Sequence, residues 1–377
     1  MAIRHDPPTD ILTWLHIGDL HATIEDRESL LALQEIVEQV SLNFRDKLDF
    51  VYLPGDVADQ GTAPQYELVR QVLDRLRRPV RIVPGDHDFE PRNLDAFHAT
   101  LGAGPLPAAD TISGHRCLFL DIVSAGQGGP DFRLGESQFS WLEAELGRAD
   151  ACEQPVALFM HSYPADLGPD AARLRQLLDR HPAAMIDMGH THYNELGNDG
   201  RTIYAVTRST AQVEEGPVGF SVSAIDAGSV SWRFRPLDSP WPFVLITAPA
   251  DRRLATGLSG AAHGATTIRA RVWDAVAVTR VVCSVDGDAP IAMQFHDEVW
   301  SCPWVPSGQG ERRITVRAET ASGTVGEDAI AAVVGGPDDA ARPVRRSPGS
   351  DATTIGAWED RHVLGTRLGP NRNGRKW

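Results

Sequence analysis

Two rhythms of apolar residues divide the chain. From residue 11 to about 190, short runs in which nearly every side chain is apolar alternate with longer stretches where Leu, Ile and Val recur at helical spacing. The runs 11–17 (ILTWLHI), 49–54 (DFVYLP), 80–84 (VRIVP), 117–123 (CLFLDIV), 156–160 (VALFM) and 184–188 (AMIDM) read as strands. Residues 27–44, 64–76, 136–146 and 170–181 carry the helical spacing. This alternation predicts an α/β fold with helices covering the faces of a sheet. Residues 202–207 and 219–237 read as later strands, the second as a hairpin.

The rhythm changes at DSPWPF, Asp238 to Phe243, where two prolines and a turn cluster interrupt it. Beyond that point, 266–274, 278–287, 291–295, 312–320 and 329–334 alternate apolar with polar residues between Gly, Pro and Asp breaks. That pattern predicts a small antiparallel β-sandwich. The expected organisation is an α/β domain over 10–238, a sandwich over 241–335, and a linker with a C-terminal tail over 336–377. From Ala341 onward there are eight Lys or Arg and three Asp or Glu, so the tail is either solvated or docked on an acidic surface.

Composition narrows the function. A length of 377 residues suits about two domains, and 42% hydrophobic with 23% charged residues suits a soluble globular protein. The formal net charge of -15 argues against an extended nucleic-acid surface, which needs clustered Lys and Arg. No apolar run reaches membrane-spanning length, and MAIRHDPPTD lacks the apolar core of a signal peptide. Cys117, Cys152, Cys283 and Cys302 are dispersed without a CxxC pair, which points to reduced thiols in the cytoplasm, with pairing of Cys283 and Cys302 left open.

The chemistry lies where the strand runs end. The first ends in GDLH (Asp19, His21), the second in GDVAD (Asp56, Asp59) and the third in GDHD (Asp86, His87, Asp88). VALFM ends at His161, and AMIDM leads into GHTH (His190, His192). Each Gly-Asp alone is ordinary turn chemistry, and a lone histidine after a strand is ordinary packing. Five clusters in order, all at carboxyl ends of strands where α/β folds build their sites, point to metal ligation by Asp and His.

With these motifs the chain resembles the calcineurin-like metallophosphoesterases, whose pattern is DxH, GDxx[DG], GNH[DE], a lone His, then GHxH. The resemblance covers roughly residues 11–235. It implies a four-layer α-β-β-α sandwich and a dinuclear centre, with Asp19, His21, Asp56 and His192 on one ion and Asp56, Asp86, His161 and His190 on the other. Asp56 and a water or hydroxide would bridge the ions, and that oxygen would attack phosphorus. His87 would stabilise the phosphoryl group or protonate the leaving oxygen, Asp88 would orient His87, and Asp59 would brace the metal loop. Manganese or iron suits this mixed shell, with zinc as a further candidate.

Within the family, GDVADQGTAPQYELVRQVLDRL, PVRIVPGDHD and LGESQFSWLEAEL are most similar to bacterial phosphodiesterases of the cyclic-nucleotide type. The chain departs from them with Ser162 in place of a second His, and with Asp86 in place of Asn. A third carboxylate brings the inner shell close to neutrality and either disfavours a dianionic monoester relative to a diester or merely weakens activity. The expected activity is hydrolysis of a small-molecule phosphodiester. The alternatives are a weak or inactive scaffold of the same fold, or an active phosphomonoesterase or phosphonate esterase. A metallo-β-lactamase type is disfavoured because its HxHxDH run is absent.

Three further residues lie beside the motifs. Arg208 follows a strand near the site edge, where a phosphate contact competes with a surface salt bridge. Tyr193 and Asn194 follow GHTH and either line the pocket or pack the loop. The sandwich resembles the immunoglobulin-like modules that follow some phosphoesterase domains, and it is expected either to make a homo-oligomer contact or to wall the mouth of the active site.

Overall fold

The computed structural model describes residues 11–44, 48–126, 131–335 and 353–365. Of the linker and tail expected over 336–377, residues 336–352 and 366–377 lie outside the described residues.

In chain order the first part runs β1 (Leu12–His16), α1 (Glu28–Asn43), β2 (Phe50–Leu53), α2 (Ala63–Leu73), β3 (Val80–Ile82), α3 (Asp95–Leu101), β4 (Ala108–Ile112) and β5 (His115–Phe119). It continues with α4 (Gly135–Ala151), β6 (Val156–Phe159), α5 (Ala171–Arg180), β7 (Met185–Met188), β8 (Glu195–Asn198), β9 (Ile203–Val206), β10 (Gly219–Asp226) and β11 (Ser229–Pro236). One sheet has the order β11-β10-β1-β2-β3 and the other β4-β5-β6-β7-β9-β8. Both are mixed: β1, β2 and β3 are parallel, as are β5, β6, β7 and β9, while hairpin partners lie antiparallel at the edges.

Alternation along each strand explains why the runs are apolar throughout. Leu12, Trp14, Phe50, Tyr52, Cys117, Phe119, Ala157, Phe159 and Met185 share the core between the two sheets. Their neighbours Leu15, Val51, Leu53, Leu118, Leu158, Ile186 and Met188 face the other way, into the cluster that includes α1, α2, α4 and α5 side chains such as Leu33, Val69, Leu142 and Leu174. Strands buried on both faces lose the polar half of the period-two pattern. The result is the four-layer α-β-β-α arrangement.

A carboxylate sits in that inter-sheet core. Asp187 of β7 accepts from Trp14 Nε1 at 2.6 Å and lies 2.8 Å from His16 Nδ1, both on β1 of the opposite sheet. All three residues are fully buried. A buried carboxylate is tolerated when its oxygens are bonded, and here the bonds also pin the two sheets in register just behind the loops that follow β1 and β7.

The second part runs β12 (Phe243–Ala248), β13 (Thr266–Trp273), β14 (Val278–Val285), β15 (Ile291–Ala292), β16 (Gln294–His296), β17 (Val299–Trp304), β18 (Gly310–Thr320) and β19 (Val325–Val334). These form two antiparallel four-stranded sheets, β12-β13-β17-β16 and β15-β14-β18-β19, around a core of residues such as Ile246, Val272, Val281, Val316 and Ile330. The tail residues 353–365 are docked: Trp358 and Val363 are buried in the inter-sheet cluster of the first part.

Removing the Asp187 carboxylate leaves two buried donors without an acceptor. Asp187→Ala is expected to destabilise the chain by about 3 kcal/mol, read as a lower urea midpoint at unchanged slope.

Candidate metal centre

The parallel strands deliver the motif residues to one edge. Asp19 and His21 follow β1, Asp56 and Asp59 follow β2, and Asp86 to Asp88 follow β3, while His161 follows β6 and the pair His190 and His192 follows β7. The carboxyl ends of both sheets open on the same side, so loops from residues 19 to 192 converge.

Two sets of four emerge. One ligand atom from each of Asp19, His21, Asp56 and His192 lies within 4.8 Å of the others, and so does one from each of Asp56, Asp86, His161 and His190. Asp56 belongs to both. Its Oδ2 lies 3.6 Å from His21 Nε2 and 3.5 Å from His161 Nε2. Its Oδ1 accepts from the His87 backbone N–H at 2.9 Å, which keeps the other oxygen turned toward the histidines.

Close backbone approach makes this possible. A side chain at Gly85 would place its Cβ 2.1 Å from Asp56 Oδ1, and one at Gly189 would lie 2.2 Å from Asp19 Oδ1. The candidate ligand residues themselves carry strain: His21, Asp56, His190 and His192 have φ of 41°, 48°, 67° and 67°. Left-handed backbone at non-glycine residues costs of order 1–3 kcal/mol each and persists where the surroundings over-determine it.

Hydrogen bonds aim each ring. His161 Nδ1 lies 2.9 Å from the Pro54 carbonyl, so it donates there and turns Nε2 toward Asp86 Oδ1 at 3.0 Å. His190 Nδ1 lies 3.1 Å from the same Asp86 oxygen, and its backbone N–H donates to Asp19 Oδ2 at 2.7 Å. Phe132, buried and 5.1 Å from the His190 ring and 6.0 Å from that of His161, walls off the second set. Ser209 Oγ donates to the Asp19 carbonyl at 2.8 Å.

The electrostatics fit divalent cations. Burial pushes the Asp19 carboxyl up. Burial also opposes ionisation of Asp56 and Asp86, yet His161 holds the first below the usual carboxylate range, and His190 with His161 holds the second well below it. Those carboxylates in turn draw a proton onto His161, raising it despite burial. Burial and neighbouring His21 push His192 well down, leaving a neutral imidazole with a lone pair to give. Among the described residues, Asp19 Oδ1 and Asp56 Oδ2 are buried with no hydrogen-bond partner, and His21 Nε2 and His192 Nε2 face each other at 3.0 Å. Unbonded buried carboxylate oxygens beside converging imidazole nitrogens are the donor set of a hard-to-borderline cation.

The remaining motif residues separate. His87 stands at the mouth with Nδ1 2.8 Å from the Asp59 carbonyl and 3.7 Å from its carboxylate, and its ring lies edge-on to His21 at 4.6 Å. Burial opposes its protonation, but Asp56, Asp59 and Asp86 outweigh that and push its pKa up to about 9. Asp88 is not its partner, which corrects the expectation that it would orient the imidazole. The Asp88 carboxylate accepts from the backbone N–H groups of Val57, Ala58 and Gly85 and from Tyr66 Oη, at 2.9 to 3.3 Å. Three converging amides need an acceptor there, so Asp88 stitches the loop after β2 to the loop after β3. Asp59 is the residue facing both His87 and His21.

Arg208 does form an ion pair, but a buried one: its Nη2 lies 3.5 Å from Glu215 Oε1 rather than at the surface or on a phosphate. It also donates to the carbonyls of Glu215, Pro217 and His362, and lies over the Phe234 ring. Asn194 is also buried, bonded to Glu215, Arg208 and His362, while Tyr193 is largely buried.

Asp88→Asn would turn an amide donor toward backbone N–H groups. The expected cost is about 2–3 kcal/mol, seen as a lower denaturation midpoint with the circular dichroism spectrum retained.

The profile of the family described as Calcineurin-like phosphoesterase matches residues 12–194. The chain is 32% identical over 198 residues to a glycerophosphodiester phosphodiesterase, GpdQ, of Enterobacter lignolyticus, spanning 47% of this chain and 69% of that protein. It is 27% identical over 236 residues to the 3',5'-cyclic adenosine monophosphate phosphodiesterase CpdA of Escherichia coli, spanning 58% of this chain and 82% of that protein. Among solved structures it is similar to a dimetal phosphatase from Danio rerio at 17% identity and a TM-score of 0.44, covering 61% of this chain and 97% of that one. The ordered motifs, the mixed two-sheet fold that gathers them, the family profile and the 32% identity to GpdQ together place the chain in the calcineurin-like phosphoesterase family.

Proposed function

We propose that the chain hydrolyses a small-molecule phosphodiester at a dinuclear centre, with Asp19, His21, Asp56 and His192 holding one cation and Asp56, Asp86, His161 and His190 the other. The observation that carries this reading is the sharing of Asp56 between two sets of four converging ligand atoms. Divalent ions held there would supply Lewis-acid polarisation of a phosphoryl oxygen and an activated water.

The chain's own residues do the rest. His87 sits at the exposed lip with Nδ1 engaged by Asp59, so its other nitrogen is the one able to reach a bound ester. Held protonated, it donates to a phosphoryl or leaving oxygen, a contribution of roughly 10²–10⁴-fold for a positioned acid. Pro54 and Asp59 hold the His161 and His21 rings by the nitrogens turned away from the centre. Phe132 keeps water from the back of His161 and His190.

Asp86 sets the preference among esters. It places a third carboxylate beside Asp19 and Asp56, and the lip also carries Asp59 and Glu90 near His87. At an effective dielectric near 20, close charges interact by several kcal/mol, so a monoanionic diester is favoured over a dianionic monoester. The names of the two relatives, both phosphodiesterases, support the diester reading.

The finer assignments rest on the same donor set and on composition. Manganese or iron suits four imidazoles and three carboxylates. The four cysteines are free thiols, which supports a cytoplasmic setting. Among the described residues no helix is long and apolar enough to cross a membrane. Residues 10–238 would form the catalytic domain and 241–335 the sandwich. Exposed Ile291 and Phe295 on the sandwich's short edge strands support self-association.

Manganese-loaded protein is expected to hydrolyse bis(p-nitrophenyl) phosphate, with at least a hundredfold loss in Asp56→Asn; absence of turnover across manganese, iron and zinc would favour the scaffold reading. Asp86→Asn is expected to raise kcat/KM for p-nitrophenyl phosphate relative to the diester by about tenfold. An unchanged ratio would remove Asp86 as the selector.

A further inference from the structure

The loop that bears His190 and His192 needs a restraint on its far side. Both histidines sit in left-handed backbone, and the incoming end is held by the Gly189 N–H on the His161 carbonyl at 2.9 Å and by the His190 N–H on Asp19. The outgoing end reaches Asn194, two residues past His192. Asn194 Nδ2 donates to the carbonyl of His362 at 3.0 Å, and Arg208 Nη2 donates to the same oxygen at 2.6 Å. Arg208 in turn donates its backbone N–H to Asn194 Oδ1 at 2.9 Å. The acceptor that closes this triangle comes from 168 residues away along the chain.

The segment bearing His362 is anchored at several points. The Ile355 N–H donates to the Leu196 carbonyl at 3.0 Å, and Thr354 bridges Gly197, so the tail adds to the edge strand β8 that begins directly after Asn194. Residues 358–363 close on themselves through the Trp358 N–H to Val363 carbonyl bond at 2.7 Å and its reciprocal at 3.2 Å. Trp358 fills the inter-sheet core beneath the guanidinium of Arg253, 4.5 Å from the ring centroid. Arg361, buried, pairs with buried Asp328 of β19 at 2.8 Å, which fastens the tail to the sandwich as well. A buried pair that must desolvate both charges contributes geometry more than stability, and here the geometry it fixes is the carbonyl of the next residue.

We propose that residues 353–365 are a positioning strap: docked by Trp358 and Arg361, they present the His362 carbonyl to Asn194 and Arg208 and so hold the His190–His192 loop in its ligating conformation. The proposal rests on the dinuclear reading for its function, but its structural half does not. Asn194 and Arg208 act on the loop and touch no substrate. Supporting groups of this kind typically govern metal affinity by 10–100-fold.

The test uses the full-length chain. Trp358→Ala/Arg361→Ala detaches the strap, Asn194→Ala cuts its link to the loop together with the Arg208 N–H bond to the same side chain, and Arg361→Lys keeps the charge facing Asp328. Two readouts are taken: amide hydrogen exchange over 189–198 in metal-free protein, and manganese titration followed by electron paramagnetic resonance. The double variant and Asn194→Ala are expected to speed exchange over that loop at least tenfold and to weaken the manganese sites at least tenfold, with exchange in β1, β2 and β6 unchanged. Arg361→Lys should recover most of both. If the double variant fails to fold, Asn194→Ala alone decides. Unchanged loop exchange in Asn194→Ala overturns the strap. Wild-type protein that takes up no manganese, while loop exchange still responds, overturns the metal reading and leaves the strap standing.

Discussion

Everything at the candidate site depends on one carboxylate placed where two sheets end. Asp56 leaves β2 in left-handed backbone, fixes one oxygen on the His87 amide and turns the other toward His21 and His161. That oxygen has no hydrogen-bond donor of its own among the described residues. A fully buried carboxylate in that position is costly unless positive charge sits beside it. Asp56 and Asp86 raise the affinity of His161 for a proton despite its burial. Two cations held by the same carboxylates would supply positive charge there as well.

Restraints on the surrounding loops come in layers. Asp88 gathers three backbone amides from two loops, Asp187 ties β1 of one sheet to β7 of the other, and the strap reaches the loop after β7 from the C-terminal end of the chain. None of these groups is placed to touch a substrate. Each spends hydrogen bonds on keeping ligand backbones in conformations they would otherwise leave. A site built on four left-handed non-glycine residues is held by its surroundings or not at all.

Much of this was legible in the amino-acid sequence because burial on both faces makes strands read as continuous apolar runs, and because the candidate ligand residues follow those runs directly. The elements that escaped have physical reasons. β4 is a half-exposed edge with Asp110 and Thr111, α3 spans only seven residues, and β8 is a four-residue edge containing Gly197. β12 is fully buried but follows the proline cluster that reads as a break, and β17 carries Pro303. Adjacent residues in a tight turn point apart, so Asp59 and Asp88 exchanged the partners that chain proximity suggests. Arg208 and Asn194 escaped because their acceptor lies in the tail, and nothing local in the sequence announces a carbonyl arriving from residue 362.

The sharing of Asp56 is tested most directly by the structure of manganese-soaked crystals, with anomalous scattering locating the ions. Two anomalous peaks about 3.5–4 Å apart, with Asp56 Oδ2 ligating both, is the predicted result. A single ion, or two ions with Asp56 bound to only one of them, would contradict the account.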